Sequence, residues 1–318
     1  MIFVKKIRYY IIIGIAVFLA TTVSCRNIGN RPINETPTRG NIKISVDESF
    51  QPLLETEIFT FTTLYPNAFI TAEYKTEFDV MEDFMNDSVK VVVSSRRLTE
   101  NQVQYLRERQ IVARTITFAH DAIALVAHRD NPDTILTYNT VRDIFLGRIT
   151  NWNQINPNSN LGEIRVIFES SRSGNVRYFR ERFNIEGSLS SNFFSVNANN
   201  FEVIDFVSRN RNTIGIVSVN WISNTHDRLG MSYLRSVNLI AVSNPALGDA
   251  LFFRPHQGSI YDRTYPFTRD IHFISRETFA GLGTGFIQWV TAEQGQRIVL
   301  RSGLVPATMP PRNVHIMR

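Results

Sequence analysis

Residues 89–102 read VKVVVSSRRLTENQ. Val89 and the run Val91–Val93 make a nearly continuous apolar stretch, the pattern of a strand covered on both faces of a sheet. The stretch stops at Ser94 and Ser95, and Thr99 then stands at the N-cap of a helix that runs through Arg109. A strand that passes through a small polar turn into a helix is the repeating unit of α/β architecture. The same unit occurs on both sides. IKISV (42–46) leads into a helix from about Phe50, where Leu53, Leu54, Ile58, Phe61, Leu64 and Tyr65 recur at three- and four-residue spacing. FITAEY (69–74) leads into FDVMEDFM (78–85). These alternations predict an α/β fold with a mainly parallel sheet.

A second set begins near Phe118. It comprises DAIALVAH (121–128), a helix near VRDIFLG (141–147), IRVIF (164–168), an amphipathic helix after Gly174, FEVIDFVS (201–208) and TIGIVSV (213–219). That helix carries Val176, Phe179 and Phe183 on one face. VNLIAVS (237–243) is strand-like, and helical stretches follow near 277–290 and 292–302. No Gly/Pro-rich linker separates the sets, so they read as two lobes of one unit.

The chain has 318 residues, 43% apolar and 20% charged, a globular composition. Its formal charge is +5, of which Lys5, Lys6 and Arg8 supply three, leaving +2 for the rest. That excess is too small to argue for nucleic acid, and no basic stripe interleaved with aromatics replaces it. MIFVKKIRYY followed by IIIGIAVFLA is a cationic start and a short apolar run, and ATTVSC ends on Cys25, the only cysteine. This leader, residues 1–24, resembles a bacterial lipoprotein signal, which implies cleavage before Cys25 and lipidation of its thiol. The alternative is an uncleaved anchor helix; either way the protein is exported and tethered to a membrane. Residues 25–40, Cys25 followed by RNIGNRPINETPTRG, are polar and turn-rich and read as a flexible tether reaching roughly 20 to 25 Å.

In an open α/β sheet, ligands bind beyond the carboxyl ends of the strands. Small polar clusters sit at three such ends: Asp47, Glu48 and Ser49; Ser94 and Ser95; and Ser170, Ser171, Ser173, Gly174 and Asn175. Hydroxyls and the free N–H groups of helix N-termini suit a small oxyanion, and Gly174 allows close approach to the backbone. Each serine or aspartate is also an ordinary N-cap. The six histidines are scattered without metal-ligand spacing, so neither a metal nor a cofactor is expected. His120 beside Asp121 imitates a base and its orienting acid, but strand neighbours point to opposite faces. Trp152 reads as core.

Several stretches carry a family likeness. VRDIFLGRITNWNQI (141–155) resembles an "IFxGxITNW" segment, and VVVSSRRLTENQ (91–102) an "SSRxL" turn. Ser173–Gly174–Asn175 stands where the family has Ser-Gly-Thr, and YPFTRDIHFI (265–274) and TAEQGQRIVLRSGLVP (291–306) match closing segments. The family is that of the solute-binding lipoproteins of phosphate ABC transporters, type II periplasmic binding proteins. The resemblance implies a bilobal fold hinged between lobes, with 41–117 plus 236–318 as the first lobe and 118–235 as the second. It implies phosphate as the ligand, an ABC permease as partner, a monomer, and no enzymatic activity. Carried over by position, Ser49, Ser94, Ser95, Ser173, Gly174 and Asn175 bind the anion.

Two departures stand against phosphate. Glu169 occupies the place of a family arginine, and Asp47 and Glu48 make the first loop acidic. A carboxylate about 4 Å from a phosphate oxygen costs roughly 4 kcal/mol at an effective dielectric near 20, while a micromolar site has about 8 kcal/mol in all. Arg172 or Arg177 neutralising Glu169 is one way out. Another is an acid accepting a proton from monoprotonated phosphate, a role the family gives to an aspartate that Ser95 replaces here. The third is a different ligand, cationic or polar, or a sensor or interaction module that carries no phosphate. A serine hydrolase built on these loops lacks a His or Lys at recognisable spacing.

Overall fold

A computed structural model describes residues 35–223, 232, 233 and 235–308. The leader 1–24, Cys25 and the tether up to residue 34 lie outside the described residues. No helix among those described is long and apolar enough to cross a membrane.

Strands β1 (Gly40–Asp47), β2 (Ala68–Lys75) and β3 (Val91–Ser94) alternate with helices α1 (Gln51–Leu64), α2 (Glu77–Met85) and α3 (Glu100–Glu108). Their boundaries are set locally. The Thr76 hydroxyl accepts from the Asp79 N–H, and Thr99 with Gln102 closes a capping box. The chain then enters β4 (Arg114–His128), followed by β5 (Ile135–Leu136), α4 (Tyr138–Phe145), β6 (Arg165–Phe168), α5 (Gly174–Arg182), β7 (Phe193–Ser195), α6 (Asn200–Arg209) and β8 (Thr213–Ser218). The remainder forms β9 (Val237–Leu239), β10 (Ala241–Asn244), β11 (Gly248–Phe253), α7 (Gln257–Tyr261), β12 (Thr268–Ser275), α8 (Leu282–Thr291), α9 (Glu293–Arg301) and β13 (Val305–Pro306).

The main sheet runs β2-β1-β3-β12-β4-β8-β6-β7, with β9 and β13 also on β4. Its outer parts are parallel: β1 with β2 and β3, and β6 with β7 and β8. The middle is antiparallel, because β12 runs against both β3 and β4, and β4 against β8. The expected mainly parallel sheet is therefore mixed. Apolar runs reveal burial but not direction, and the 15-residue β4 passes through both halves, a length that DAIALVAH alone does not disclose.

Two expected boundaries move. β9 pairs with Val126–His128 and β10 with β5, so residues 237–253 stay with the second half of the sheet. The chain rejoins the first half at β12, not at residue 236; a strand-like VNLIAVS carries no information about its partner. The tether also ends early. Glu35 accepts a hydrogen bond at 3.1 Å from Leu282 N–H at the start of α8, an orphan donor of that helix. The Pro37 carbonyl lies so close to Gly285 that a Cβ there would come within 1.9 Å of it.

Between the halves, α5 buries Val176, Phe179 and Phe183 as its spacing predicts. Phe179 stands 4.3 Å from Phe145 and 4.9 Å from Phe267, centroid to centroid, tying α4, α5 and the approach to β12 together. On α1, Leu53, Leu54 and Phe61 are buried, whereas Leu64 is half-exposed. Trp152 is fully buried and donates its indole N–H to the Asn212 carbonyl. Packing of this kind holds the carboxyl ends of β1, β3 and β6 against one another.

Candidate functional site

Those three strand ends meet in a junction of buried polar side chains. Asp47, the last residue of β1, accepts from the Ser49 N–H at 3.0 Å through Oδ1 and leaves Oδ2 without a partner. Glu48 accepts from Asn200 Nδ2 at 2.8 Å, and its carbonyl accepts from the Trp221 indole. Its second carboxylate oxygen has no partner, nor does the Ser49 hydroxyl. From the other half, Asn175 donates to Glu169 Oε1 at 2.8 Å, leaving Glu169 Oε2 and its own carbonyl oxygen unpartnered. Ser173 caps α5, accepting from the Val176 N–H. Gly174 touches the first half directly: a Cβ there would lie 2.7 Å from Asp47 Oδ2 and 3.1 Å from Glu77 Oε1.

The structure thus brings together Asp47, Glu48, Ser49, Glu169, Ser173, Gly174 and Asn175, all of them buried. Ser94 and Ser95 take a different part. Both hydroxyls donate at 2.9 Å to the carboxylate of Glu77, the first residue of α2. The Arg177 guanidinium from α5 crosses to the same carboxylate and also donates to Ser95 Oγ at 3.1 Å. The proposed neutralisation of Glu169 by Arg172 or Arg177 does not occur. Arg177 is engaged with Glu77 and Glu181, and Arg172 turns outward to Asp79 at 2.7 Å, over the Phe78 ring. Its long side chain finds more favourable solvated charges on α2 than a buried one behind its own turn. Because that pair is half-exposed, Arg172→Ala lowers stability by at most about 1 kcal/mol, checked by urea unfolding.

Residues that the sequence did not place at the site complete the junction. Arg269 of β12 pairs with Asp121 of β4 at 2.9 Å, and Ser218 donates to the same Asp121 oxygen. His120 faces the other way, to Asp270 at 2.7 Å, as alternation requires. Asn200 caps nothing here; it bridges Glu48, Asn175 and the Ser218 N–H. The one usable signal for Glu77 was an acid between a strand and a helix, and helix first turns commonly carry acids for the dipole alone. Among the described residues, no acid, histidine or cysteine cluster has the geometry of a metal site.

Electrostatics divide the acids into two groups. Burial would raise Glu77, but Arg177 and the hydroxyls of Ser95 and Ser94 hold it below the usual carboxylate range. Burial, with Glu77 adding to it, pushes Asp47 up to about 6 against Arg269 and the Ser49 N–H. Burial lifts Glu169 to about 7 against its own backbone N–H and Ser173, and Asp47 adds to the rise. Glu48 is carried well above its ordinary value by burial, then by Glu169 and Asp47. A buried acid that cannot find a cation keeps its proton instead.

At the outer edge, a cavity of about 600 Å³ reaches this junction, lined by Glu77, Ser173, Arg96, Arg172, Arg177 and Arg180 among others. Comparison with known proteins agrees with the architecture. Residues 33–294 match the family model described as the PBP superfamily domain. The chain is similar to the phosphate-binding protein PstS of Borreliella burgdorferi, 21% identical over 303 residues, covering 92% of this chain and 97% of that one. PstS of Pseudomonas aeruginosa is 20% identical over 282 residues, covering 84% and 83%. Among solved structures, a putative phosphate ABC transporter substrate-binding protein with bound phosphate from Clostridium perfringens superposes with a TM-score of 0.71 at 24% identity, covering 84% of this chain and all of that one. With its mixed sheet curled into two halves around a polar junction, the chain is a bilobal α/β protein and belongs to the PBP superfamily.

Proposed function

We propose that the protein is a solute-binding protein that captures a small oxyanion, phosphate, between its halves and presents it to an ABC permease. In this reading it works as an exported monomer, held to the membrane through a lipid on Cys25, and it is a receptor, not an enzyme. The observation that carries the reading is the convergence of the β1 and β6 turns on one buried junction, with the unpartnered hydroxyl of Ser49 in it and, beside it, Arg269, whose charge acts on Asp47 and Glu169 and whose Nη1 has no partner. The names of the similar proteins support phosphate over other anions. Protons on Asp47, Glu48 and Glu169 reconcile the anion with the acids, since a neutral carboxyl donates a hydrogen bond where a carboxylate repels. Isothermal titration with phosphate, sulfate and molybdate at pH 6 and pH 8 tests the reading. Phosphate binding with a preference for pH 6 is the expected result, and silence from all three anions at both values removes it.

A second reading has its own observation. Asp47 Oδ2, Glu48 Oε2, Glu169 Oε2 and the Asn175 carbonyl oxygen are four buried acceptors without donors. That surplus favours a solute that brings donors, such as a small ammonium compound. In the same titration, lysine or putrescine binding while phosphate stays silent moves the conclusion to this class.

A further inference from the structure

The serines at the end of β3 were expected to hold the solute, yet they already hold an anion. Ser94 Oγ, Ser95 Oγ and the Arg177 guanidinium all converge on one buried carboxylate, that of Glu77. Two hydroxyls from one half and a planar guanidinium from the other make the grip that a carboxylate or phosphoryl group calls for. The side chain is only 3% exposed, yet it lines the 600 Å³ cavity whose wall carries Arg96, Arg172 and Arg180 beside Glu181 and Glu186. Arg96 donates to Gln102 and Arg180 to the Gly187 carbonyl, so neither is spent on an acid. Glu77 also contacts Gly174, at the seam between the halves.

We infer that Glu77 is a resident stand-in for the solute oxyanion: its carboxylate occupies the place formed by Ser94, Ser95 and Arg177, and an external oxyanion entering through the arginine-lined cavity must displace it. The inference rests on the oxyanion reading and assigns the residue that sets its threshold. With Glu77 in place the grip is charge-balanced, so a second anion gains little there. Once the carboxylate is removed, two hydroxyls and a guanidinium left with the exposed Glu181 as its ion-pair partner face the cavity.

Titration of the full-length protein with inorganic phosphate at pH 7.5 tests this with Glu77→Ala and Glu77→Gln beside the unaltered chain. Glu77→Ala binds phosphate at least tenfold tighter, and excess acetate weakens that binding by returning a free carboxylate to the vacated place. Glu77→Gln keeps the shape but not the charge, and tightens binding at least threefold; it carries the test if the alanine variant does not fold by circular dichroism. Phosphate affinity unchanged or lower in the folded variants overturns the inference. If that happens while the unaltered chain binds phosphate, the solute-binding reading survives. If the unaltered chain is silent and Glu77→Ala binds, the stand-in survives and phosphate capture by the native chain does not.

Discussion

Gly174→Val abolishes solute binding while leaving both halves folded. A Cβ at this position would sit 2.7 Å from Asp47 Oδ2 and 3.1 Å from Glu77 Oε1, and valine adds two methyl groups beyond it. Both obstructing atoms belong to the first half and Gly174 to the second, so the collision falls across the junction and not inside either core. A valine offers nothing to replace the partners the carboxylates would leave, the Ser49 N–H for Asp47 and Ser94, Ser95 and Arg177 for Glu77. Separation of the halves is therefore the cheapest relief, and separation dismantles the site. A loss of phosphate affinity of at least a hundredfold is expected, about 2.8 kcal/mol, with far-UV circular dichroism unchanged. Gly174→Ala, carrying only the Cβ, loses less. Binding by Gly174→Val within threefold of the unaltered chain contradicts the placement of the site at this seam.

The same seam shows where the sequence was legible. Thr76, Thr99 and Ser173 each cap a helix by accepting from the backbone N–H three residues on, and such local chemistry can be read from spacing. VKVVV and IRVIF declare burial by composition alone. What spacing cannot supply is partnership over distance. Arg269 and Asp121 form a buried pair across 148 residues, and Asn200 reaches Glu48 across 152. Ser94 and Ser95 were rightly placed at a strand end, but the acid that consumes their hydroxyls comes from another element. Glu169 stood out as an anomaly in a turn, and it is one in the structure too. Its neighbourhood is more acid, held in place by amides in place of arginine.

That acid accumulation fixes a direction for stability against pH. A carboxyl whose proton is held more tightly in the folded protein than in the unfolded chain stabilises fully below its ordinary value, and that contribution declines as pH climbs to the raised value. Asp47 spends its share between about 4 and 6, and Glu169 between about 4.5 and 7, while Glu48 continues upward. His272 works the other way. Burial, with Arg97 beside it, lowers it to about 4, so its contribution grows as pH rises from 4 toward 6.5 and is complete there. Glu77, held low by Arg177, loses its contribution only in acid, outside this window. Arg177, which burial would lower but Glu77 holds above its ordinary value, stays charged throughout and adds no slope.

The two trends oppose each other below pH 6.5, and only the acids act above it. Three acids lose more than one histidine gains, so thermal unfolding is expected to show greatest stability near pH 4 to 4.5 and a fall of several degrees by pH 8.5, since a two-unit shift corresponds to on the order of 3 kcal/mol. The paired substitution Glu48→Gln with Glu169→Gln keeps the shapes of both side chains and their contacts with Asn200 and Asn175 while removing their titration. It flattens the fall above pH 4.5 and raises the melting temperature at pH 8.5 above that of the unaltered chain. Small-angle scattering adds an independent readout, because separating the halves rehydrates the acids and enlarges the molecule as pH rises. A melting temperature that climbs steadily from pH 4.5 to 8.5 means that the junction holds ionised carboxylates at no cost. Protons could then play no part in admitting an anion there.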